Sequence, residues 1–119
     1  MQILEQDNLN TVLSDFVAEC RTVFDEKLCD VRLFGSYARG DHNEDSDIDV
    51  LVILDVGATE VRRFRHDICR IAATLELKYS VAISPVLYGK EEYDSRKKFG
   101  FCKNVEAEGV SQYVGQAYA

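Results

Sequence analysis

The segment Ile48-Asp49-Val50-Leu51-Val52-Ile53-Leu54 constrains the fold more than any other part of the chain. It is short, rich in Val and Ile, and apolar except for one aspartate. A run of this length and composition reads as a buried strand, and Gly57 breaks it shortly afterwards. The remaining elements follow from periodicity. Leu9, Val12, Leu13, Phe16, Val17, Cys20, Val23 and Phe24 recur at helical spacing, which predicts an amphipathic helix over roughly 8–27. Val31 to Phe34 reads as a short strand running into the Gly35-Ser36 turn, and Tyr37-Ala38-Arg39 as one or two helical turns stopped by Gly40. Val61, Phe64, Ile68, Ile71, Ala72 and Leu75 mark a second large helix.

Val81 to Leu87 reads as a third strand. Pro85 lies inside it and cannot donate to a ladder, so this strand belongs at an edge or carries a bulge. Short helices follow at Glu91–Tyr93 and at Lys97–Glu108, the latter stopped by Gly109, and the tail bearing Tyr113 and Tyr118 is expected to fray. This order predicts an α/β (α+β) layer fold, a small mixed β-sheet flanked by helices. At 119 residues, one domain spanning 1–119 is expected.

Two clusters carry chemistry: Gly35-Ser36-Tyr37-Ala38-Arg39-Gly40-Asp41, and Asp45-Ser46-Asp47-Ile48-Asp49. Asp47 and Asp49 stand two apart at the start of a strand, so both carboxylates project from one face. Adjacent carboxylates repel, and burial beside an apolar run sharpens the conflict. A divalent cation resolves it, and Mg²⁺ in particular is held by one or two carboxylates together with phosphate oxygens. A calcium loop starting at Asp45 would need glycine and glutamate where Val50 and Val56 stand.

Gly35 lets backbone approach a ligand closely. Ser36 heads the following helical turn, where N–H groups and a hydroxyl attract an anion, and Arg39 lies one turn on. An anion cradle opposite a cation site is what a metal-bound nucleoside triphosphate needs. Gly-Ser alone is a common turn, and Asp-Ser-Asp alone a common loop or helix cap. Their conjunction between strands points to function.

Charge and cysteines narrow the classes further. The first 60 residues carry 4 basic and 14 acidic side chains and the rest 10 and 7, giving −10 against +3 within a net charge of −7. Such a chain is a poor general binder of nucleic acid, because that affinity comes from neutralising phosphates. An acidic half suits cations or a basic partner instead. Arg62, His66 and Arg70, with Arg63 beside them, form either a solvated basic face or a dock for an acidic partner or phosphate chain. His42 reads as a surface residue, and Tyr37 either packs over the nucleotide or covers the core.

Cys20, Cys29, Cys69 and Cys102 form no C-x-x-C pair, and three lie in apolar patterns. Buried thiols in a reducing, cytoplasmic compartment are expected, not a metal cluster. No stretch is apolar for the roughly 18 residues of a membrane span, and no signal peptide is evident.

The pattern Gly-Ser, ten residues, Asp-x-Asp resembles the signature of the DNA polymerase β-type nucleotidyltransferase superfamily. More narrowly, the chain resembles the minimal nucleotidyltransferases, stand-alone MNT domains often paired with HEPN proteins. Ile83-Ser84-Pro85-Val86, Lys90-Glu91-Glu92-Tyr93 and Val105 to Val110 are similar to family members as well. The resemblance implies a polymerase β-like nucleotidyltransferase fold. It implies that Gly35 and Ser36 hold the triphosphate and that Asp47 and Asp49 are catalytic and hold the metal, Mg²⁺, with ATP as substrate. It implies adenylyl transfer to a HEPN-type toxin, with this chain as antitoxin.

Active members usually carry a third carboxylate on the strand after the second large helix. Ser80 to Leu87 contains no acid, and Ser80, Ala82 and Ser84 share the face where one would stand. Glu76, Glu91 and Glu92 flank that strand. The missing acid keeps a second expectation open, a non-catalytic module that neutralises a HEPN partner by contact. A transferase acting on small antibiotics ranks below both, since those enzymes carry an acceptor-binding domain.

Overall fold

The structure is a computed structural model and describes residues 4–115. Helix α1, Gln6–Phe24, presents Leu9, Val12, Leu13, Phe16, Cys20 and Phe24 to the core as their spacing requires. A single 3₁₀ turn, Asp25–Lys27, leads into strand β1, Leu28–Phe34. The one-turn helix α2, Ser36–Arg39, and strand β2, Ile48–Leu54, follow. A 3₁₀ turn at Val61–Phe64 opens into helix α3, Arg65–Tyr79, and then strand β3, Ile83–Gly89. Helices α4, Lys90–Arg96, and α5, Gly100–Glu108, precede strand β4, Val110–Val114.

The four strands form one mixed sheet in the order β3-β2-β1-β4. β1 pairs antiparallel with β2 and β4, and β2 pairs parallel with β3 through the α3 crossover. β2 is central and buried on both faces, which explains its nearly continuous apolar run. Ile48, Val50, Val52 and Leu54 pack toward α1 and α3. Leu51 and Ile53 pack with Phe34, Tyr93, Cys102 and Val105 on the opposite face, beneath α4 and α5. Asp49 belongs to this second face, at the end where the sheet emerges from its helical cover.

Several boundaries differ from expectation. β1 starts at Leu28, three residues before the weak alternation begins. α5 starts at Gly100, not Lys97, because Phe99 is extended and Gly100 has φ +49°. Ser80 is not on the third strand: it closes α3 in the left-handed conformation, and β3 starts at Ile83. The C-terminal segment does not fray at Tyr113, which lies in β4 and packs against the main core, while Tyr118 lies outside the described residues. Pro85 does lie on an edge strand.

Cys20, Cys29 and Cys102 are buried free thiols and Cys69 is exposed. Burial pushes the Cys20 thiol up to about 12 and the Cys29 thiol up to about 11. Among the described residues, no helix is long and apolar enough to cross a membrane.

Candidate active site

β1 ends at Phe34, and Gly35 then turns the chain with φ +75° and ψ −154°, a conformation open essentially to glycine alone. Gly35 is the N-cap of α2, and its carbonyl accepts from the N–H groups of Ala38 (3.1 Å) and Arg39 (3.0 Å). Ser36 is therefore the first helical residue rather than the cap, and its hydroxyl makes no capping bond. Gly40, at φ +85°, ends the turn.

The loop that follows is pinned by its own polar groups. Asp45 N–H donates to Asn43 Oδ1 at 2.8 Å, Asn43 N–H to Ser46 Oγ at 2.9 Å, and Ser46 N–H to the Asn43 carbonyl at 3.1 Å. This small knot delivers Asp47 to the mouth of β2.

Antiparallel pairing sets Asp49 opposite Phe34, so the two halves of the motif meet where β1 ends and β2 begins. A Cβ added to Gly35 would fall on the Asp49 carboxylate. Asp47 is exposed and Asp49 half-buried. Burial raises the Asp49 carboxyl above its ordinary range, the charge of Asp47 raises it further, and Arg39 opposes both. Two hard oxygen donors, one partly desolvated and both repelling, fit a divalent cation such as Mg²⁺, which takes one or two carboxylates beside phosphate oxygens.

Arg39 is within electrostatic reach of Asp49, but its hydrogen bonds go elsewhere. Its guanidinium bonds Asp41 at 3.2 Å and Glu108 at 3.1 Å. Those contacts, led by Asp41, hold its pKa above the ordinary value. A phosphate reaching Arg39 would compete with two carboxylates, the exposed Asp41 and the half-buried Glu108. Tyr37 packs against the core and stacks on His42, ring centroids 4.2 Å apart. His42 is thus half-buried rather than a free surface residue.

The parallel register pairs Asp49 with Ser84, so the side chain beside Asp49 on β3 is a hydroxyl. Glu76 is engaged in structure, its carboxylate accepting the Ile83 N–H at 3.0 Å. Glu91 and Glu92 sit on α4, beyond Gly89, which pairs with Leu54 at the opposite end of β2. Among the described residues no three His, Cys, Asp or Glu side chains converge.

One feature near the site carried no sequence signal. Arg32 on β1 bonds Asp30 at 2.5 Å and Glu106 at 2.8 Å. Tyr93 donates its hydroxyl to Glu106 at 2.6 Å, and Ser111 donates to Asp30 at 3.2 Å. This network ties β1, α4, α5 and β4 together and so fixes the strand that ends at Gly35.

A model of the nucleotidyltransferase domain family matches residues 14–109. Two candidate protein adenylyltransferases of Methanocaldococcus jannaschii are similar along almost their whole length. One is 37% identical over 110 residues, 92% of this chain and 98% of its own. The other is 34% identical over 106 residues, 89% and 99% respectively. A solved candidate minimal nucleotidyltransferase superposes with a TM-score of 0.61 at 25% identity, covering 90% of this chain and 95% of that one. A toxin–antitoxin crystal structure with AMP-PNP superposes at 0.59 and 20% identity, covering 88% and 75%. A tri-AMPylated Shewanella oneidensis HEPN toxin bound to its MNT antitoxin gives 0.53 and 17%, covering 90% and 73%. These last two likenesses bear on fold alone. With the family model spanning most of its length and the Gly-Ser and Asp-x-Asp halves meeting at one point, the chain belongs to the nucleotidyltransferase domain family.

Proposed function

We propose that the chain is a Mg²⁺-dependent adenylyltransferase that moves AMP from ATP to a hydroxyl of a HEPN-type protein partner, acting as its antitoxin in the cytoplasm. The observation that carries this reading is the placement of the Asp49 carboxylate against the Gly35 backbone, with Asp47 close enough to repel it. Phosphates held at Gly35 and Ser36 would lie beside the carboxylates. The names of the Methanocaldococcus jannaschii relatives and the AMP-PNP and HEPN complexes of the structural relatives support the same reading.

In the proposed reaction the acceptor oxygen attacks the α-phosphorus of ATP. The new O–P bond forms as the bond to the β-phosphate oxygen breaks, and pyrophosphate leaves. Asp47 and Asp49 would hold the metal, which would neutralise phosphate charge and make the acceptor hydroxyl more acidic. Ser36 and the N–H groups at the head of α2 position the phosphates. Arg39, once drawn from Asp41 and Glu108, offsets charge on the leaving group. With Ser84 beside Asp49, this strand offers no carboxylate to take the acceptor's proton, which passes to water.

That same Ser84 favours a second reading, a binding module that neutralises its partner by contact without transfer. Mass spectrometry of a HEPN partner encoded beside this chain, after incubation with ATP and Mg²⁺, separates the two. A gain of one or more AMP units is expected; tight association with no gain would select the module.

A further inference from the structure

β3 ends the sheet, and no described strand covers its outer side. The direction of its backbone groups follows from two contacts. Ile48 N–H donates to the Ala82 carbonyl at 2.8 Å, and the register matches Ile48 with Ile83. In a parallel ladder this alternation turns the N–H and C=O groups of Ile83, Pro85 and Leu87 outward. Ile83 agrees, since its N–H leaves the sheet to bond Glu76. Pro85 falls where a missing N–H costs the β2 ladder nothing. Leu87 offers both a donor and an acceptor to the outer side.

A cleft of about 410 Å³ runs along this edge, with Arg65, Ile68 and Cys69 of α3 on one lip and Glu92 and Arg96 of α4 on the other. Each lip presents an exposed arginine, Arg65 on α3 and Arg96 on α4, where Glu92 partly offsets it, in a chain whose net charge is −7. Arg62, Arg63 and Arg65 have no acidic partner within 4.0 Å among the described residues, and Arg96 has only a 3.6 Å pairing with Glu92. The edge begins beside Asp49, through Ser84. Neighbouring strands lie about 4.8 Å apart, so a strand added outside β3 would run about 10 Å from the β2 backbone. A tyrosine-sized side chain and a phosphate together span that gap.

We propose that the open edge of β3 receives an extended acidic segment of the protein acceptor as an added strand, with its carboxylates on Arg65 and Arg96 and its hydroxyl residue carried toward Asp47 and Asp49. The reading as a docking edge stands on the cleft and its charge; only the delivery of a hydroxyl rests on the transferase function proposed above. Strand addition takes affinity from main-chain bonds and selectivity from flanking side chains.

The test is fluorescence anisotropy with a fluorescein-labelled Glu-Val-Glu-Tyr-Glu-Val-Glu peptide, first without ATP. The full chain should bind it and ignore the version with Lys for Glu. Arg65→Glu with Arg96→Glu should weaken binding more than about 10-fold, the range seen for loss of close charge pairs at interfaces. Arg65→Gln with Arg96→Gln should weaken it less, and melting curves verify that both variants fold. Two further peptides, N-methylated on alternate residues in opposite phase, should behave differently, one failing and the other binding. Equal behaviour of the two, indifference to the arginine changes, or no binding of the parent peptide would overturn the proposal. Adding ATP and Mg²⁺ should then label the tyrosine. Binding without labelling would leave the dock standing and count against the transferase reading alone.

Discussion

The carboxylate of Asp49 fills the place that a side chain on Gly35 would need. One position thus demands glycine twice, for a backbone at φ +75° and for the space beside it. Gly35→Ala should cost about 1–3 kcal/mol from strain alone, the usual range for a side chain in this region. It should also displace Asp49 and abolish Mg²⁺-dependent ATP binding. Gly40→Ala is the comparison, since Gly40 is also left-handed but has open space around it. Denaturant melts and titration calorimetry should find both variants destabilised and only Gly35→Ala unable to bind ATP.

Asp47 and Asp49 should trade stability for binding. The Asp49 carboxyl is held above its ordinary range by burial and by Asp47, so protonation favours the folded state. Its contribution therefore improves as pH falls through that raised range and is unfavourable above it. Asp49→Asn should melt higher than the parent at pH 7, with the gap closing under acid. The double Asn variant should lose Mg²⁺-dependent ATP affinity by more than about 10-fold, since even outer-shell changes cost a metal site that much. Unchanged calorimetric affinity would remove the metal assignment.

Ser36 separates capping from phosphate binding. Loss of a true N-cap costs about 0.5–2 kcal/mol, but Gly35 holds the cap position here and Ser36 makes no capping bond. Ser36→Ala should therefore leave stability within about 0.5 kcal/mol, as for an ordinary surface change, while lowering ATP affinity or transfer rate. A variant that melts early and binds ATP normally would reverse this assignment.

Arg32 guards a buried charge. Asp30 is only 1% exposed, and burial raises its carboxyl despite Arg32 and Ser111. Arg32→Ala strands that carboxylate and should cost about 3–5 kcal/mol. Replacing the pair together, Asp30→Leu with Arg32→Met, should recover most of the loss, because paired burial contributes little over apolar packing. Urea melts of the three chains give the comparison directly.

The parts of this fold that were legible in the sequence are those whose periodicity is set by burial. β2 is covered on both faces and reads as an apolar run broken only by Asp49. α1 and α3 show their buried stripes at helical spacing. The Gly-Ser and Asp-x-Asp halves were legible because backbone freedom and same-face carboxylates are local properties. β4 was not legible. It is half-exposed, and what makes it a strand is pairing with β1 some 80 positions earlier, as in Asp30 with Val114. The Arg32 network and the Arg39–Glu108 pair are equally non-local. The face occupied by Ser84 needed the register, because a slip of one residue would turn its side chain to the other side.

That register now makes the missing acid testable at one position. Of the three small residues considered for the place of a third carboxylate, Ser80 closes α3, Ala82 accepts from Ile48 just before β3, and Ser84 is the one paired with Asp49. The wild-type chain should bind ATP and transfer slowly, since a positioned general base is worth about 10²–10⁴-fold in rate. Ser84→Asp adds a carboxylate on the same face as Asp49. Without metal it should lower the melting temperature, because a third negative charge joins two that already repel. With Mg²⁺ and ATP that loss should be recovered, and transfer should rise by up to about the same 10²–10⁴-fold while ATP affinity changes little. Ser84→Asn, which matches the shape without the charge, should show neither effect. A wild-type chain transferring at ordinary enzyme rates would overturn the argument and assign the proton to a carboxylate supplied by the partner.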